Sequence, residues 1–357
     1  MAYKYREALK DMTANISKKV AEGPGKIHRL MANENPYGCS SLIKDALIKT
    51  MESGPSNYPD GYTTAVREAI ALKYSVDEEA MLFGNGTDEI IYMLGKAFLE
   101  PGDEVVMPKL SFTSYIDSAQ SMGAKMVYAP MKEDFSIDLD AVLACITDKT
   151  KYIVIVNPNN PTGTVFCEDA QRNFLKKVPK DVLIILDEAY AEFYTEENYP
   201  NTYSMLKEYD NLIILKTLSK IYGMASFRIG FMIADKDIIS VVSRVKNTFN
   251  VSAQAMAAAS AAIKDNEFTQ MVKENNAKCV QYLCQQMDEL GYSYIPTHTS
   301  FMLIDVRQPC APVVAALREK GYLVRPGSDF TLDDYIRVSI GTMEQMEGFV
   351  KAFKECV

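Results

Sequence analysis

Histidine is scarce in this chain, although it is the side chain that most often moves protons in enzymes. Only two histidines, His28 and His298, occur among the 357 residues, and they lie far apart in sequence. A histidine-based metal site or a Ser-His-Asp triad is therefore not expected. If the protein is an enzyme, another kind of side chain must carry its protons.

Long apolar runs and an excess of positive charge are also missing. No apolar run approaches the ~20 residues that span a bilayer, and the charges spread through the N-terminal segment do not fit a signal peptide. The formal net charge is −9 and the pI is near 5.0, which argues against a nucleic-acid or membrane partner. An acidic protein that binds an anion must instead concentrate its arginine and lysine locally.

The seven cysteines include no CxxC pair, and their number is odd. They do not form the pattern of a disulfide framework. Scattered thiols are typical of a reducing compartment, so we expect a cytoplasmic protein.

Short runs that are apolar on both faces alternate with amphipathic stretches through the middle of the chain. Strands of this kind belong to a sheet that helices cover on each side. Helix-like segments at 88–98 and 168–177 lie between them. The pattern predicts an α/β fold with a mostly parallel sheet, whose strands include residues 104–107, 125–128, 152–156, 182–186, 212–215 and 230–233.

The character of the sequence changes near residue 251, where alanine-rich and amphipathic helices begin and are followed by short strands and a final helix. This change indicates a second, smaller α+β domain. We predict an N-terminal arm that packs with the small domain or with a partner subunit, a large domain and a small domain, over residues 1–37, 38–250 and 251–357.

Polar residues follow the predicted strands, where ligands bind in open α/β sheets. Residues 157–163 (NPNNPTG) form an irregular turn in which Asn160 can offer an amide donor, although a purely structural loop has the same pattern. Asp187 ends a strand that is buried on both faces, where an unpaired charge is costly. Asp187 could cap the next helix, or it could hold a protonated heterocyclic nitrogen with Tyr190 on the same side.

Lys220 follows the next strand, in the segment KTLSK at 216–220. A lysine set among small and apolar residues suits nucleophilic catalysis, whereas a lone lysine is more commonly a solvated surface residue. Thr217, Ser219 and Arg228 add hydroxyl and guanidinium donors that suit one phosphate group.

Residues 82–89 (LFGNGTDE) join a short apolar stretch to a helix. The glycines let the backbone approach a ligand closely, and free N–H groups at a helix start attract phosphate. The alternative is a helix that Thr87 or Asp88 caps. The segment is neither a Walker A loop nor a GxGxxG motif.

The order and spacing of these segments resemble the class I/II aminotransferases of fold type I, which depend on pyridoxal phosphate. The likeness covers nearly the whole chain, and it is greatest to the histidinol-phosphate aminotransferase-like branch. The matching segments are 33–38 (NENPYG), 57–60 (NYPD), 84–89 (GNGTDE), 157–163 (NPNNPTG), 187–190 (DEAY), 217–220 (TLSK), Arg228 and 336–342 (IRVSIGT).

The resemblance implies a role for each ring-binding residue. Lys220 would hold the cofactor as a Schiff base and later move the substrate's proton. Asp187 would pair with the pyridine nitrogen, so that the ring takes up electrons. Asn160 and Tyr190 would contact the ring's 3′-oxygen. Phe112 would stack on the ring face, with simple core packing as the alternative.

The resemblance also implies how the anionic groups are held. Arg337 would grip the substrate α-carboxylate as a bidentate pair, Arg325 would form a second anion site, and Asn33 would lie where the family closes over the substrate. Tyr58 from the neighbouring subunit would complete the phosphate site, which requires a homodimer. The phosphate ligands of the same subunit would be Gly86, Thr87, Asp88, Thr217, Ser219 and Arg228.

The sequence departs from that branch in three places. Residues 20–25 lack the tyrosine that usually precedes a Pro-Gly, Ser226 and Phe227 replace a Gly-Leu pair, and residues 298–301 (HTSF) replace an Asn-Phe pair.

The leading prediction is amino-group transfer between an amino acid or histidinol phosphate and a 2-oxo acid such as 2-oxoglutarate, by a ping-pong Schiff-base mechanism. The alternatives are a decarboxylase or lyase of the threonine-phosphate decarboxylase type, an aromatic amino-acid aminotransferase, or a non-catalytic regulator.

Overall fold

The computed structural model describes residues 3–10, 12–14 and 27–357. Residues 20–25, where the family's tyrosine is absent, lie outside the described residues, as does much of the predicted arm. The strands of the described residues are β1 (His28–Leu30), β2 (Met81–Gly84), β3 (Glu104–Pro108), β4 (Lys125–Ala129), β5 (Thr150–Val156), β6 (Leu183–Asp187), β7 (Leu212–Thr217), β8 (Gly230–Ala234), β9 (Tyr294–Ile295), β10 (Phe301–Asp305), β11 (Tyr322–Pro326) and β12 (Tyr335–Ser339).

The α-helices alternate with these strands and then dominate the C-terminal part. Short 3-10 helices occur between them, among them Gly327–Phe330. The α-helices are α1 (Leu42–Glu52), α2 (Thr64–Tyr74), α3 (Gly86–Phe98), α4 (Ser114–Met122), α5 (Leu139–Ala144), α6 (Glu168–Leu175), α7 (Thr202–Met205), α8 (Lys236–Ser243), α9 (Ala253–Lys264), α10 (Asn266–Leu290), α11 (Cys310–Glu319) and α12 (Met343–Lys354).

Seven strands form the larger sheet, in the order β2-β8-β7-β6-β5-β3-β4. The pairs from β7 through β6, β5 and β3 to β4 are parallel. Only β8 runs against its neighbours, since it is antiparallel to both β2 and β7. The predicted α/β fold with a mostly parallel sheet is confirmed, and each of the six predicted strands is present.

The larger sheet is buried on both faces, as its apolar strands predict. In β5, Ile153 and Ile155 pack with α5 and α6 residues on one face. Val154 and Val156 pack with α3 and α4 residues on the other. The carboxyl ends of β5, β6 and β7 therefore meet at one edge between two helical layers.

A second sheet of five strands has the order β1-β11-β12-β10-β9. It packs with α10, α11 and α12 around a separate apolar core. Strand β1, from the segment predicted to be an arm, pairs in parallel with β11. The boundary predicted at residues 250–251 stays a prediction, because α9 follows it and yet packs in the same core as α1 and α2 of the larger unit.

None of the described helices is long and apolar enough to cross a membrane.

Candidate active site

A cavity of about 360 Å³ lies at the carboxyl ends of β5, β6 and β7. Their last residues, Val156, Asp187 and Thr217, line it, as expected for a ligand site in an open α/β sheet. The volume is in the range of small-molecule sites. The predicted site residues that line the cavity are Asn33, Thr87, Asp88, Phe112, Asn160, Asp187, Tyr190, Thr217, Ser219, Lys220, Arg228, Arg325 and Arg337.

Two predicted site residues are not among those that line the cavity. Gly86 precedes Thr87 at the start of α3. Tyr58 lies on the protein surface with 82% of its area exposed, and its ring stacks on Phe249 with the centroids 4.8 Å apart. Tyr58 is therefore not part of the cavity of its own subunit.

Asp187 is a buried carboxylate at the end of β6. One oxygen accepts a 2.8 Å hydrogen bond from the Tyr115 hydroxyl, and the other accepts one of 3.1 Å from the Ala189 backbone N–H. Burial raises the Asp187 pKa to about 6, and the bond from Tyr115 limits that rise. Tyr115 was missed in the sequence, although it lies only three residues after Phe112, in the first turn of α4.

Lys220 reaches the cavity from the loop that follows β7. Its Nζ donates a 3.2 Å hydrogen bond to the Ala32 carbonyl and lies 5.7 Å from the centre of the Tyr190 ring. No salt bridge engages Lys220 within the described residues. The loop is held tightly, because a Cβ on Gly223, whose φ is +67°, would clash with the Gly38 backbone. The amine is thus positioned by backbone contacts and stays available to a ligand.

The start of α3 meets Arg228 at one end of the cavity. The helix has no side-chain cap, contrary to the alternative in which Thr87 or Asp88 is the N-cap. Arg228 Nη2 donates a 3.1 Å hydrogen bond to Asp88, and a Cβ on Gly86 would clash with the Arg228 guanidinium. Uncapped N–H groups beside a fixed guanidinium are suited to bind phosphate.

Arg325 and Arg337 line the cavity on the side of the smaller sheet, where they are direct partners on β11 and β12. Arg325 Nε lies 2.6 Å from an Asp329 carboxylate oxygen, as an ion pair without hydrogen-bond geometry. Arg337 is 6% exposed, and burial lowers its pKa to about 10. Its Nε has no hydrogen-bond partner among the described residues.

Arg337 also makes no salt bridge in the described part of the chain. Its Nη1 donates to Asn160 Oδ1 at 2.6 Å, and its Nη2 donates to the Met31 carbonyl at 2.9 Å. A buried guanidinium without a counter-ion is costly. An anionic group of the ligand would remove that cost.

Aromatic side chains shape the rest of the cavity. Phe112 both lines the cavity and packs against the apolar core beside α3 and α4. Its stacking on a cofactor ring stays a prediction. The Tyr190 ring meets Phe301 edge to face, with the centroids 5.1 Å apart. The Tyr190 hydroxyl accepts a 2.8 Å hydrogen bond from Asn33 Nδ2.

A buried charge cluster beneath the cavity was not anticipated from the sequence. Lys216 Nζ lies 2.6 Å from Glu192 and 3.7 Å from Glu188, and all three side chains are largely shielded from solvent. Burial raises the Glu188 pKa to about 7, and Lys216 opposes the rise. Lys216 precedes Thr217 at the end of β7, and Glu188 follows Asp187 at the end of β6. The charge cluster therefore links the ends of the two strands that carry these site residues.

The site fits pyridoxal phosphate, the cofactor that the resemblance implies. Asp187 is a buried carboxylate without a salt bridge in residues 27–357, and a protonated ring nitrogen would match it. Gly86 has φ of +75°, a left-handed conformation that favours glycine, and it places no side chain beside the Arg228 guanidinium, so the backbone can approach a phosphate closely. The fold and the cavity are those of an α/β enzyme that binds an anionic, aromatic cofactor.

Comparisons with known proteins agree with this assignment. The family model "Aminotransferase class I and II" matches residues 26–353. The histidinol-phosphate aminotransferase of Moorella thermoacetica is 39% identical over 99% of this chain and 92% of its own, and that of Bacillus subtilis is 40% identical over 93% and 92%. The structure of the Sinorhizobium meliloti histidinol-phosphate aminotransferase in complex with pyridoxal-5′-phosphate has a TM-score of 0.88, at 22% identity over 99% of this chain and 97% of that chain.

The chain belongs to the class I and II aminotransferase family. The predicted family, fold type I architecture, amino-group transfer activity and pyridoxal phosphate dependence are thereby confirmed. The decarboxylase, lyase and aromatic alternatives are not favoured. The roles of individual residues and the homodimer stay predictions.

Proposed function

We propose that this aminotransferase takes its amino group from a donor that carries a phosphate, as histidinol phosphate does, and passes it to a 2-oxo acid such as 2-oxoglutarate. The names of the relatives point to that donor. The observation that carries the proposal is the pairing of Arg325 and Arg337, which line the same cavity from directly opposite positions on two strands. Two guanidinium groups suit a phosphate dianion or a second carboxylate.

The ring-binding residues act on either side of the cofactor. Pyridoxal phosphate, when bound, supplies an aldehyde that carries the amino group and a ring that accepts the electron pair left at the substrate α-carbon. Lys220 would hold the aldehyde, and once the donor's amine has displaced it, its freed Nζ would take the proton from the donor's α-carbon. Asp187 would keep the ring nitrogen protonated, while Asn160 and Tyr190 would bind the ring oxygen.

Phe112 would hold the plane of the ring by stacking on one face. At the other end of the cavity, the backbone N–H groups of Gly86, Thr87 and Asp88 bind the cofactor phosphate. The remaining phosphate donors are Thr217, Ser219 and Arg228. Because Ser219 N–H donates to Thr217 Oγ1 at 3.1 Å, the Thr217 hydroxyl proton stays free for the phosphate.

Arg337 binds the carboxylate of the 2-oxo acid as a bidentate pair. The same guanidinium, with Arg325, binds the phosphate of the donor in the other half-reaction. Asn33 lies over this end of the cavity. Because one pair of arginines serves both substrates, the two half-reactions must occur in turn, as a ping-pong route requires.

The partner subunit's Tyr58 completes the phosphate site in a homodimer. The exposure of Tyr58 and its stacking on Phe249, which is itself 40% exposed, support this arrangement, because stacked exposed aromatics are typical of an interface.

The seven unpaired cysteines support the cytoplasmic location predicted from the sequence.

The test is a half-reaction screen of the purified holoenzyme, read from the cofactor's absorbance. Histidinol phosphate should convert the aldehyde form of the cofactor to its amine form with a higher second-order rate constant than glutamate, phenylalanine or tyrosine, and 2-oxoglutarate should reverse the change. Equal rates with phenylalanine and histidinol phosphate would refute the phosphate donor. Release of carbon dioxide without an oxo-acid product would refute amino-group transfer.

A further inference from the structure

Ser339 forms a closed pair of hydrogen bonds with Asn33. The Asn33 backbone N–H donates to Ser339 Oγ at 2.9 Å, and the Ser339 hydroxyl donates to Asn33 Oδ1 at 2.9 Å. Both residues are buried, each with 2% of its area exposed. Asn33 has φ of +55°, a left-handed conformation that asparagine tolerates better than most residues. The two residues therefore fix one another in a single arrangement.

The position of the Ser339 proton determines how the Asn33 amide is oriented. A serine hydroxyl has one proton, and here that proton goes to Asn33 Oδ1. The amide nitrogen of Asn33 must then face the opposite way, where it donates to the Tyr190 hydroxyl at 2.8 Å. Ser339 thus determines that the Asn33 amide presents its Nδ2 group, and not its Oδ1 atom, to the Tyr190 hydroxyl.

The same logic extends to Tyr190, whose hydroxyl has one proton and here accepts from Asn33. That proton has no acceptor in the part of the chain that the structure describes. Tyr190 is only 3% exposed and lines the cofactor cavity. A buried hydroxyl proton without an acceptor is costly, so it is directed to a ligand in the cavity.

We propose that Ser339 is a positioning residue for the cofactor site. By holding the Asn33 amide, it makes Tyr190 a donor to the ring oxygen. Without the Ser339 hydroxyl, the amide can rotate so that Oδ1 accepts the Tyr190 proton, and the donor is lost from the cavity. The proposal rests on the role that the proposed function gives to Tyr190.

The experiment compares Ser339→Ala with Ser339→Thr, which retains the hydroxyl, and with Ser300→Ala. Ser300 is a matched control, since it is also a buried serine of the smaller unit but has no hydrogen-bond partner among the described residues. Three quantities are measured: the affinity of the apoprotein for pyridoxal phosphate, the pH midpoint of the holoenzyme's absorbance change without substrate, and the unfolding temperature of the apoprotein.

Ser339→Ala should weaken cofactor binding roughly 10- to 100-fold, the range for one hydrogen bond to a charged acceptor. It should also raise the pH midpoint, because a donor favours the anionic state of the oxygen that it contacts. Ser339→Thr should restore both values, and Ser300→Ala should leave them unchanged. Asn33→Asp, whose side chain offers only acceptors at neutral pH, should resemble Ser339→Ala.

A double-mutant cycle with Tyr190→Phe decides whether Ser339 acts through Tyr190. If it does, Ser339→Ala has no further effect on affinity or midpoint once the Tyr190 hydroxyl is gone. An effect of the same size in both backgrounds overturns the proposal, as does a lower unfolding temperature with unchanged affinity. If Tyr190→Phe alone changes nothing, the role of Tyr190 is wrong, whereas the donor screen tests the substrate independently.

Discussion

The Arg337 guanidinium donates a 2.6 Å hydrogen bond to the side-chain oxygen of Asn160. Arg337 is in β12 of the smaller sheet, whereas Asn160 lies in the turn that follows β5 of the larger sheet. In the proposed function Arg337 binds the substrate and Asn160 binds the cofactor. The bond therefore couples the position of the substrate's anionic group to the position of the ring.

Replacing Arg337 tests the substrate side of this coupling. We expect Arg337→Ala to lower kcat/KM for 2-oxoglutarate. The loss should correspond to about 2–5 kcal/mol of transition-state stabilisation, the cost of losing one partner of a buried charge pair. Steady-state kinetics with a fixed donor would measure it. Arg318→Ala is the control, because Arg318 is an exposed arginine of the same unit. Equal kinetics of the two variants would contradict the role of Arg337.

Replacing Lys220 tests the covalent step. Lys220→Ala should fold and bind the cofactor weakly, yet turn over slower by at least a factor of about 10²–10⁴, the usual contribution of a positioned proton carrier. Borohydride reduction of the wild type should attach the cofactor to the peptide that contains Lys220, as mass spectrometry would show. The exposed-lysine variant Lys96→Ala should behave as wild type. Labelling of another lysine would remove Lys220 from its assigned role.

Asp187 should make cofactor binding depend on pH. Its pKa is raised to about 6 by burial, so below that pH the carboxyl is protonated and no longer holds a protonated ring nitrogen. Affinity of the apoprotein for pyridoxal phosphate should therefore fall as pH decreases through about 6. Tyr115→Phe removes a hydrogen bond that lowers this pKa, so the fall should begin at higher pH.

Asp187→Asn is the control that separates the titration of the Asp187 carboxyl from that of the cofactor's own phosphate. In this variant only the phosphate still titrates. We expect its turnover to drop about 10²–10³-fold, as for the loss of one preorganised electrostatic contact. A wild-type rate, or an unchanged pH profile of binding, would show that Asp187 does not hold the ring nitrogen.

The same pKa predicts how the stability of the apoprotein depends on pH. Folding raises the Asp187 pKa from 3.8 to about 6, so the folded state binds this proton more tightly than the unfolded state. The charged Asp187 carboxylate therefore destabilises the folded apoprotein. This effect is fully present above pH 6 and disappears as pH falls toward 4. Asp187→Asn apoprotein should thus be more stable than wild type at pH 8, by at most on the order of 3 kcal/mol, and the difference should shrink below pH 6 in denaturant titrations.

Much of the cavity could be predicted because its residues follow strands that are apolar on both faces, and such strands place their carboxyl ends together. The reversed direction of β8 could not be predicted, since a buried strand reads the same in either direction. Tyr115 was missed because a tyrosine in the first turn of a helix is more commonly a residue of the apolar core. Ser339 was missed because its partner, Asn33, is 306 residues away in sequence.

The role of Tyr58 can be tested by mixing subunits. If the partner subunit's Tyr58 serves each site, Tyr58→Ala and Lys220→Ala should each be impaired alone. Refolding the two variants together should recover activity, because the mixed dimer then contains one site with both native residues. Analytical ultracentrifugation would give the oligomeric state. No recovery from mixtures that form dimers would contradict a shared site.

The pairing of β10 with β12 sets Leu303 opposite Arg337 and Phe301 opposite Ser339. Ile336 and Val338, which alternate with Arg337 and Ser339 along β12, face the apolar core of the smaller unit. Because successive side chains of a strand point to opposite faces, a slip of one residue would turn both polar side chains away from the cavity together. The proposed substrate binding and the alignment of the Tyr190 proton would then be lost in one step. A single-residue insertion within β12, between Ile336 and Arg337, should therefore abolish both while the larger sheet stays intact.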